Sequence, residues 1–127
     1  MAEVPVDGGR RVDLMALDPR GQVTVVEIKV SRADLLGDGK WHEYLACADR
    51  FYWAVPAGFD LSLFEAEALL PARTGLIVAD RDEAAVVREA ACVPLPAPAR
   101  KRVTLAFARR AARRLACLTD PEGMPPG

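Results

Sequence analysis

Asp13, Glu27 and Lys29 are the residues whose types and spacing first suggest chemistry in this 127-residue chain. The two carboxyl groups and the amine stand in otherwise apolar stretches, where an unpaired charge is costly to bury. A positive partner is therefore expected between the carboxylates, and the candidates are Lys29 and a divalent cation. A hard cation such as Mg²⁺ takes one or two carboxylates, a backbone carbonyl and waters, and keeps positions open for phosphate oxygens. This donor set is typical of phosphodiester hydrolysis.

A hairpin would bring the two carboxylates together. Residues 10–17 and 23–30 are predicted to be strands because apolar and β-branched residues dominate them, and residues 18–22 contain the Pro and Gly of a turn. With this turn, Asp13 falls directly opposite Glu27. Like charges at opposite positions destabilise a sheet, so this register requires a positive group nearby. A plain buried salt bridge is the simpler alternative.

The rest of the chain alternates strands with helices. The further predicted strands are residues 51–55, 75–79 and 85–88. The predicted helices are a short turn capped by Ser31, then residues 40–48, 61–70 and 102–118. An extended linker is predicted over residues 90–99, and a disordered tail over residues 119–127. This pattern indicates the α/β class, with a mixed central sheet flanked by helices in one domain over residues 1–118.

Composition excludes several classes of protein. With 51% hydrophobic and 28% charged residues, the chain can form one hydrophobic core without disulfides or metals as staples. No apolar stretch is long enough to cross a membrane and no export signal is visible, so a cytoplasmic location is expected. Cys47, Cys92 and Cys117 are too widely spaced for a redox or zinc pair, and we expect them to be reduced and buried. The single histidine, His42, is expected to be exposed.

Basic residues cluster near the C-terminus although the net charge is only −1. No acidic residue interrupts residues 100–114. Four arginines fall on one side of the predicted helix: Arg102, Arg109, Arg110 and Arg113. Because the guanidinium fork matches phosphate, these residues are candidates for binding nucleic acid. A solvated outer face is the alternative, and the sequence does not place this patch beside Asp13 and Glu27.

Asp13, followed at hairpin distance by the triplet from Glu27 to Lys29, resembles the core of the PD-(D/E)XK nuclease superfamily. A more specific pattern is similar to the bacterial MmcB-type DNA repair proteins. The segments that carry it are residues 11–17, 27–34, 38–44, 49–55, 75–80 and 100–115. The resemblance implies a restriction-endonuclease-like αβββαβ core. The leading helix of that core is expected to be missing, with a basic helix at the C-terminus.

The resemblance also implies roles for individual residues. Asp13 and Glu27 would bind Mg²⁺ or Mn²⁺ together with the carbonyl of Ile28. Lys29 would orient the attacking water or stabilise charge on the phosphorane. Glu3 would correspond to the acidic residue that often precedes the aspartate, and it is expected at a frayed terminus.

Further residues near the triplet are weighed as auxiliaries. Lys40 and Tyr44 lie one helical turn apart and are candidates for contacting the scissile phosphate, or else for plain solvation and core packing. Arg32 lies three residues after the triplet and is a candidate phosphate contact. Asp49 and Arg50 are expected to end a helix and pair locally.

The sequence therefore predicts metal-dependent phosphodiester hydrolysis on DNA, in DNA repair. A catalytically silent DNA-binding module with the same fold is the first alternative. The second is a structural protein in which the Asp13, Glu27 and Lys29 charges form a buried ion network. The expected partner is DNA rather than a membrane, and a homodimer or a repair-protein partner is left open.

Overall fold

A computed structural model of the chain describes residues 1–6 and 10–119. The strands are β1 (Ala2–Val6), β2 (Arg10–Leu17), β3 (Val23–Ile28), β4 (Arg50–Pro56), β5 (Thr74–Ala79) and β6 (Ala84–Arg88). Within the described residues they form a single mixed sheet in the order β1-β2-β3-β4-β5-β6, in which β3, β4 and β5 are parallel. The predicted α/β class with a mixed sheet is confirmed.

In the described part of the chain, the helices are α1 (Arg32–Gly37), α2 (Ala97–Thr119) and three 3₁₀ segments, Trp41–Cys47, Leu61–Glu65 and Glu67–Leu69. The Ser31 side chain accepts a hydrogen bond from the Asp34 backbone N–H, so the predicted cap is confirmed. The predicted linker was too long, because α2 already begins at Ala97. Pro98 is compatible with this start, since proline fits the first turn of a helix.

Strand β1 was not predicted. Its pairing with β2 is antiparallel, and the Met1 terminal amine donates a hydrogen bond to the Met15 carbonyl. The expectation of a frayed terminus is therefore wrong. Pro5 hides this strand from sequence patterns, and it is tolerated because β1 is an edge strand. Within the strand, Glu3 departs from the extended backbone with a φ of 55°.

The β2–β3 hairpin has the predicted register. Leu17 pairs with Val23 and Leu14 with Val26, which continues to Asp13 opposite Glu27. In the turn, the Asp18 carboxylate accepts hydrogen bonds from the backbone N–H groups of residues 20 and 22, each at 2.9 Å. These bonds hold the loop at five residues and so determine which side chains of the two strands meet.

An aromatic cluster packs the first 3₁₀ segment onto the sheet. The ring centroids of Trp41 and Trp53 are 4.8 Å apart, and those of Phe51 and Trp53 are 5.0 Å apart. Phe64 lies on the other side of Trp53. All four side chains are buried, so the segments that follow β3 and β4 are anchored close to the ends of those strands.

The predictions for the cysteines, His42 and the C-terminal residues are met only in part. Cys47 is buried as predicted, but Cys92 is exposed and Cys117 is half-buried, because they lie on the surface segment before α2 and near the end of that helix. None of these three cysteines forms a disulfide, and His42 is exposed as expected. Thr119 belongs to α2, and the rest of the predicted tail, residues 120–127, lies outside the described residues. In the described part of the chain, no helix has the length and apolarity needed to cross a membrane.

Candidate metal and DNA-binding site

The carboxyl groups of Asp13 and Glu27 meet where β2 and β3 begin to separate. The Asp13 backbone N–H donates to Glu27 Oε1 at 3.0 Å, and the Ile28 backbone N–H donates to Asp13 Oδ2 at 2.8 Å. These two bonds extend the hairpin beyond its last backbone pair, Leu14 with Val26. The structure thus brings the predicted carboxylates together through reciprocal side-chain to backbone hydrogen bonds.

Glu27 is held in an apolar environment. Only 4% of the residue is exposed, and its neighbour in the register of β4 is the fully buried Trp53. Burial raises the pKa of Glu27 to about 7, and the charge of Asp13 and a hydrogen bond between the two carboxyl groups raise it further, against the opposing effects of the Asp13 N–H and Lys29. Near neutral pH this pair therefore retains a proton unless a cation takes its place.

Lys29 is buried on the same face of β3 as Glu27, but its ammonium group contacts other carboxylates. Its Nζ lies 2.8 Å from Asp38 Oδ2 and 3.9 Å from Asp34 Oδ1. Burial lowers the pKa of Lys29, but the hydrogen bond to Asp38 and the surrounding carboxylates outweigh it and raise the pKa overall. Lys29 is therefore a fixed cation beside the carboxylate pair.

Sequence reasoning missed Asp34 and Asp38 as partners of Lys29. Asp34 also accepts a hydrogen bond from the Val30 N–H, at 3.2 Å. A possible signal was their placement, one in the first turn of the capped helix and one just after its end. A short helix at that point brings both carboxylates to Lys29, the residue that directly follows β3.

The auxiliary residues Lys40 and Tyr44 are placed differently. Tyr44 is half-buried, and its hydroxyl donates to the Arg11 carbonyl at 3.4 Å, two residues from Asp13. Lys40 is exposed, and its backbone N–H lies 3.4 Å from Asp38 Oδ1. Tyr44 thus borders the carboxylate pair along β2, whereas Lys40 borders the partner of Lys29.

Glu3 lies in β1 between the residues that pair with Leu14 and Val12, so it stands opposite Asp13 on the neighbouring strand. Its side chain is 65% exposed and turns toward α2, where Oε2 is 3.8 Å from Arg110 Nη2. Among the described residues, no three Asp, Glu, His or Cys side chains are grouped for a metal ion. The structure therefore does not gather Glu3 with Asp13 and Glu27.

The remaining donor set fits a hard cation. Asp13 and Glu27 supply two adjacent carboxyl groups, and Ile28, which is 44% exposed, supplies a backbone carbonyl. Mg²⁺ and Mn²⁺ favour such oxygen ligands, and Mg²⁺ commonly takes one or two carboxylates and completes its shell with waters.

Helix α2 places the basic patch beside the strands that carry Glu3 and Asp13, and the sequence did not reveal this placement. The helix packs on β1, and Arg114 Nη2 donates to the Ala2 carbonyl at 2.7 Å. The predicted patch consists of Arg102, Arg109 and Arg113, which are exposed, and Arg110, which is partly buried. Since β1 is the neighbour of β2, only one strand separates α2 from the strand that carries Asp13.

Arg32 is the exposed first residue of α1. It lines a cleft of about 420 Å³ together with Gly58, Phe59 and Asp60, beyond the carboxyl ends of β3 and β4. Crevices beyond the carboxyl ends of parallel strands commonly bind ligands in α/β sheets. Arg32 therefore lies in a cleft of this kind, where it interacts electrostatically with the Asp60 carboxylate.

Asp49 and Arg50 do not pair with each other, contrary to expectation. Arg50 donates to Gln22 Oε1 at 2.7 Å, whereas buried Asp49 accepts from Arg100 Nη2 at 2.6 Å. Asp49 also accepts from the backbone N–H groups of residues 23 and 95. Although burial alone would raise it, these donors lower the pKa of Asp49 to about 2. This clamp ties the start of α2 to the sheet.

Fold and site together define a small α/β protein with an acidic centre on a hairpin and a basic helix beside it. The model of the MmcB-like DNA repair protein family matches residues 1–122, and the chain belongs to that family. Membership gives the protein a role in DNA repair, and hence an interaction with DNA.

A solved structure, a protein of unknown function from Silicibacter pomeroyi, is similar to this chain. The identity is 44%, the TM-score is 0.84, and the match covers 98% of this chain and 82% of the other. No curated protein matches. The relative therefore supports the fold but adds no assigned activity.

Proposed function

We propose that this DNA repair protein hydrolyses phosphodiester bonds in DNA with Mg²⁺ or Mn²⁺ bound by Asp13 and Glu27. The observation that carries the proposal is the reciprocal hydrogen bonding that aligns these two carboxyl groups at the open end of the hairpin. The pairing of carboxylates on two strands with Lys29 one position beyond Ile28 also supports membership in the PD-(D/E)XK superfamily.

Each residue has a defined part in this proposal. Asp13, Glu27 and the Ile28 carbonyl would hold the cation, whose chemistry when bound is activation of water and neutralisation of phosphate charge. Lys29 stabilises negative charge developing on the phosphate, because Asp38 keeps its ammonium group protonated and fixed.

The surrounding residues position the DNA. Tyr44 borders the carboxylate pair and Lys40 borders Asp38, the partner of Lys29, and both would contact the scissile phosphate. Arg32 would bind a phosphate on one side, and the α2 arginines would bind the backbone on the other. Glu3 would join the metal ligands only after leaving Arg110.

A catalytically silent DNA-binding module is the second candidate. It is favoured by the ion pairs of Lys29, whose ammonium group is 2.8 Å from Asp38 Oδ2 and directed to α1. In this case the basic helix would bind DNA while the carboxylate pair keeps only a structural role or binds a cation without turnover.

Calorimetric titration with Mn²⁺ tests both candidates when it is combined with a cleavage assay on duplex, single-stranded and branched DNA. The variants are Asp13→Asn and, as a matched control on an exposed loop, Asp82→Asn. We expect the wild type and the control to bind Mn²⁺ and cleave DNA, and Asp13→Asn to do neither. Metal binding without cleavage of any DNA would favour the silent module. Equal Mn²⁺ binding by wild type and Asp13→Asn would overturn the metal site.

A further inference from the structure

A pocket of about 210 Å³ lies between α2 and the edge strand β1. Its lining residues are Pro5, Ala106, Arg109, Arg110 and Arg113. None of them is acidic, and three are arginines of one helix, two of them adjacent in sequence and the third about one turn further along. The concavity is therefore lined by three arginines and Ala106 on the α2 side and by Pro5 on the β1 side.

Arg110 has an unmet hydrogen-bonding group at this pocket. Its Nε is buried and has no hydrogen-bond partner among the described residues. Its Nη2 is 3.8 Å from Glu3 Oε2, which is beyond hydrogen-bonding distance. A buried donor left without an acceptor is costly, so such groups commonly await a ligand or a water.

The ligand chemistry follows from the guanidinium group. Nε and Nη present two parallel N–H donors that match two oxygens of a phosphate. Arg109 and Arg113 flank this fork and add positive charge. A carboxylate is already available in Glu3, yet it does not reach hydrogen-bonding distance, so the site suits an anion that can enter the concavity itself.

We infer that Arg109, Arg110 and Arg113 form a pocket for one phosphate group of a DNA strand, and that Glu3 competes with this phosphate for Arg110. The inference rests on the DNA-binding role proposed above and deepens it. Glu3 stands opposite Asp13 in the β1–β2 register, and neighbouring β-strands are about 4.8 Å apart. A phosphate held here would therefore anchor the DNA strand next to the carboxylate pair.

The bound phosphate has two possible sources, a strand end or the internal backbone, and binding to defined oligonucleotides distinguishes them. We would measure fluorescence anisotropy in EDTA with oligonucleotides that carry a 5′-phosphate, a 3′-phosphate or only hydroxyl ends. Preference for one phosphorylated end, lost in Arg110→Ala, assigns the pocket to that end. Equal binding of all three, weakened in Arg110→Ala, assigns it to the backbone.

The matched control is Lys101→Ala, which removes one positive charge from an exposed position of α2 outside the pocket. We expect Arg110→Ala to weaken binding tenfold or more, and Lys101→Ala less than threefold. Arg110→Lys should be intermediate, because it keeps the charge but loses the fork. Equal effects of Arg110→Ala and Lys101→Ala would overturn the inference, provided both variants keep the wild-type melting temperature.

Glu3→Gln gives a second readout that a merely structural role for Arg110 would not produce. If Glu3 competes with phosphate, this variant should bind DNA about threefold to tenfold more tightly than the wild type. Unchanged or weaker binding would contradict the competition. Since these measurements are made in EDTA, they do not depend on cleavage, and failure of the proposed hydrolysis would leave their outcome unaffected.

Discussion

The buried carboxyl group of Glu27 accepts a hydrogen bond from the backbone N–H of Asp13, 3.0 Å away across the β2–β3 hairpin. In return, the Asp13 carboxylate accepts from the residue after Glu27, at 2.8 Å. Each acidic residue is thus positioned by the backbone of the other strand. This arrangement keeps two carboxyl groups together in spite of their mutual repulsion, and it makes their protonation a test of the site.

Glu27→Gln should stabilise the metal-free protein above pH 7. The pKa of Glu27 is raised to about 7 in the folded state, so its folded form binds a proton that the unfolded chain releases above pH 4.5. The stabilising contribution of the Glu27 proton is therefore fully present below pH 4.5 and is lost as the pH rises through 7. In EDTA, the free energy of unfolding of the wild type should drop by about 2 to 3 kcal/mol between pH 5 and 8, while that of Glu27→Gln stays level. The same pH dependence in both proteins would contradict the assignment of this loss to Glu27. The control variant is Glu67→Gln, which changes an exposed glutamate.

Mn²⁺ should reverse this loss of stability. A cation that binds the folded state between Asp13 and Glu27 stabilises it by about 2.7 kcal/mol at one hundred times its dissociation constant. Thermal unfolding at pH 8 should show the increase in wild type and in Asp82→Asn, but not in Asp13→Asn. An equal increase in Asp13→Asn would mean that Mn²⁺ binds elsewhere.

Asp49→Asn should destabilise the protein by roughly 2 to 4 kcal/mol, because it removes the charge that neutralises Arg100 and weakens two backbone hydrogen bonds. The pKa of Asp49 is lowered to about 2, so its contribution is present above pH 4 and is lost as the pH falls toward 2. Urea unfolding at pH 7 and pH 3 should therefore show a smaller difference between variant and wild type at the lower pH. The exposed Asp82→Asn variant should match the wild type at both.

Asp38→Asn should lower the pKa of Lys29, since the hydrogen bond that Lys29 Nζ donates to the Asp38 carboxylate opposes the effect of burial. Nuclear magnetic resonance of the Lys29 ammonium group would follow this directly, with Lys40 as an exposed reference. We also expect a loss of about 1 to 2 kcal/mol in the free energy of unfolding. If the alkaline limb of any cleavage profile shifts with the pKa of Lys29, then its charge contributes to the reaction. An unchanged Lys29 pKa would show that Asp38 does not control it.

Local features of the sequence predicted much of the fold. Runs of apolar and β-branched residues identified β2 to β6, and the five-residue turn determined the register that places Asp13 opposite Glu27. The Ser31 cap likewise depends only on residues three apart. These features could be predicted because strand periodicity, turn geometry and capping involve near neighbours in the chain.

By itself, the sequence determined the hairpin, its register, the carboxylate pair and the basic helix. Tertiary structure alone decided that Lys29 turns to Asp38, that Asp49 pairs with Arg100, 51 residues away, and that β1 inserts between β2 and α2. It thereby placed Arg110 next to Glu3 and the arginines beside the acidic centre. The physical reason is that such contacts depend on how whole elements pack against one another, and neither the spacing of charges nor the periodicity of apolar residues encodes that packing.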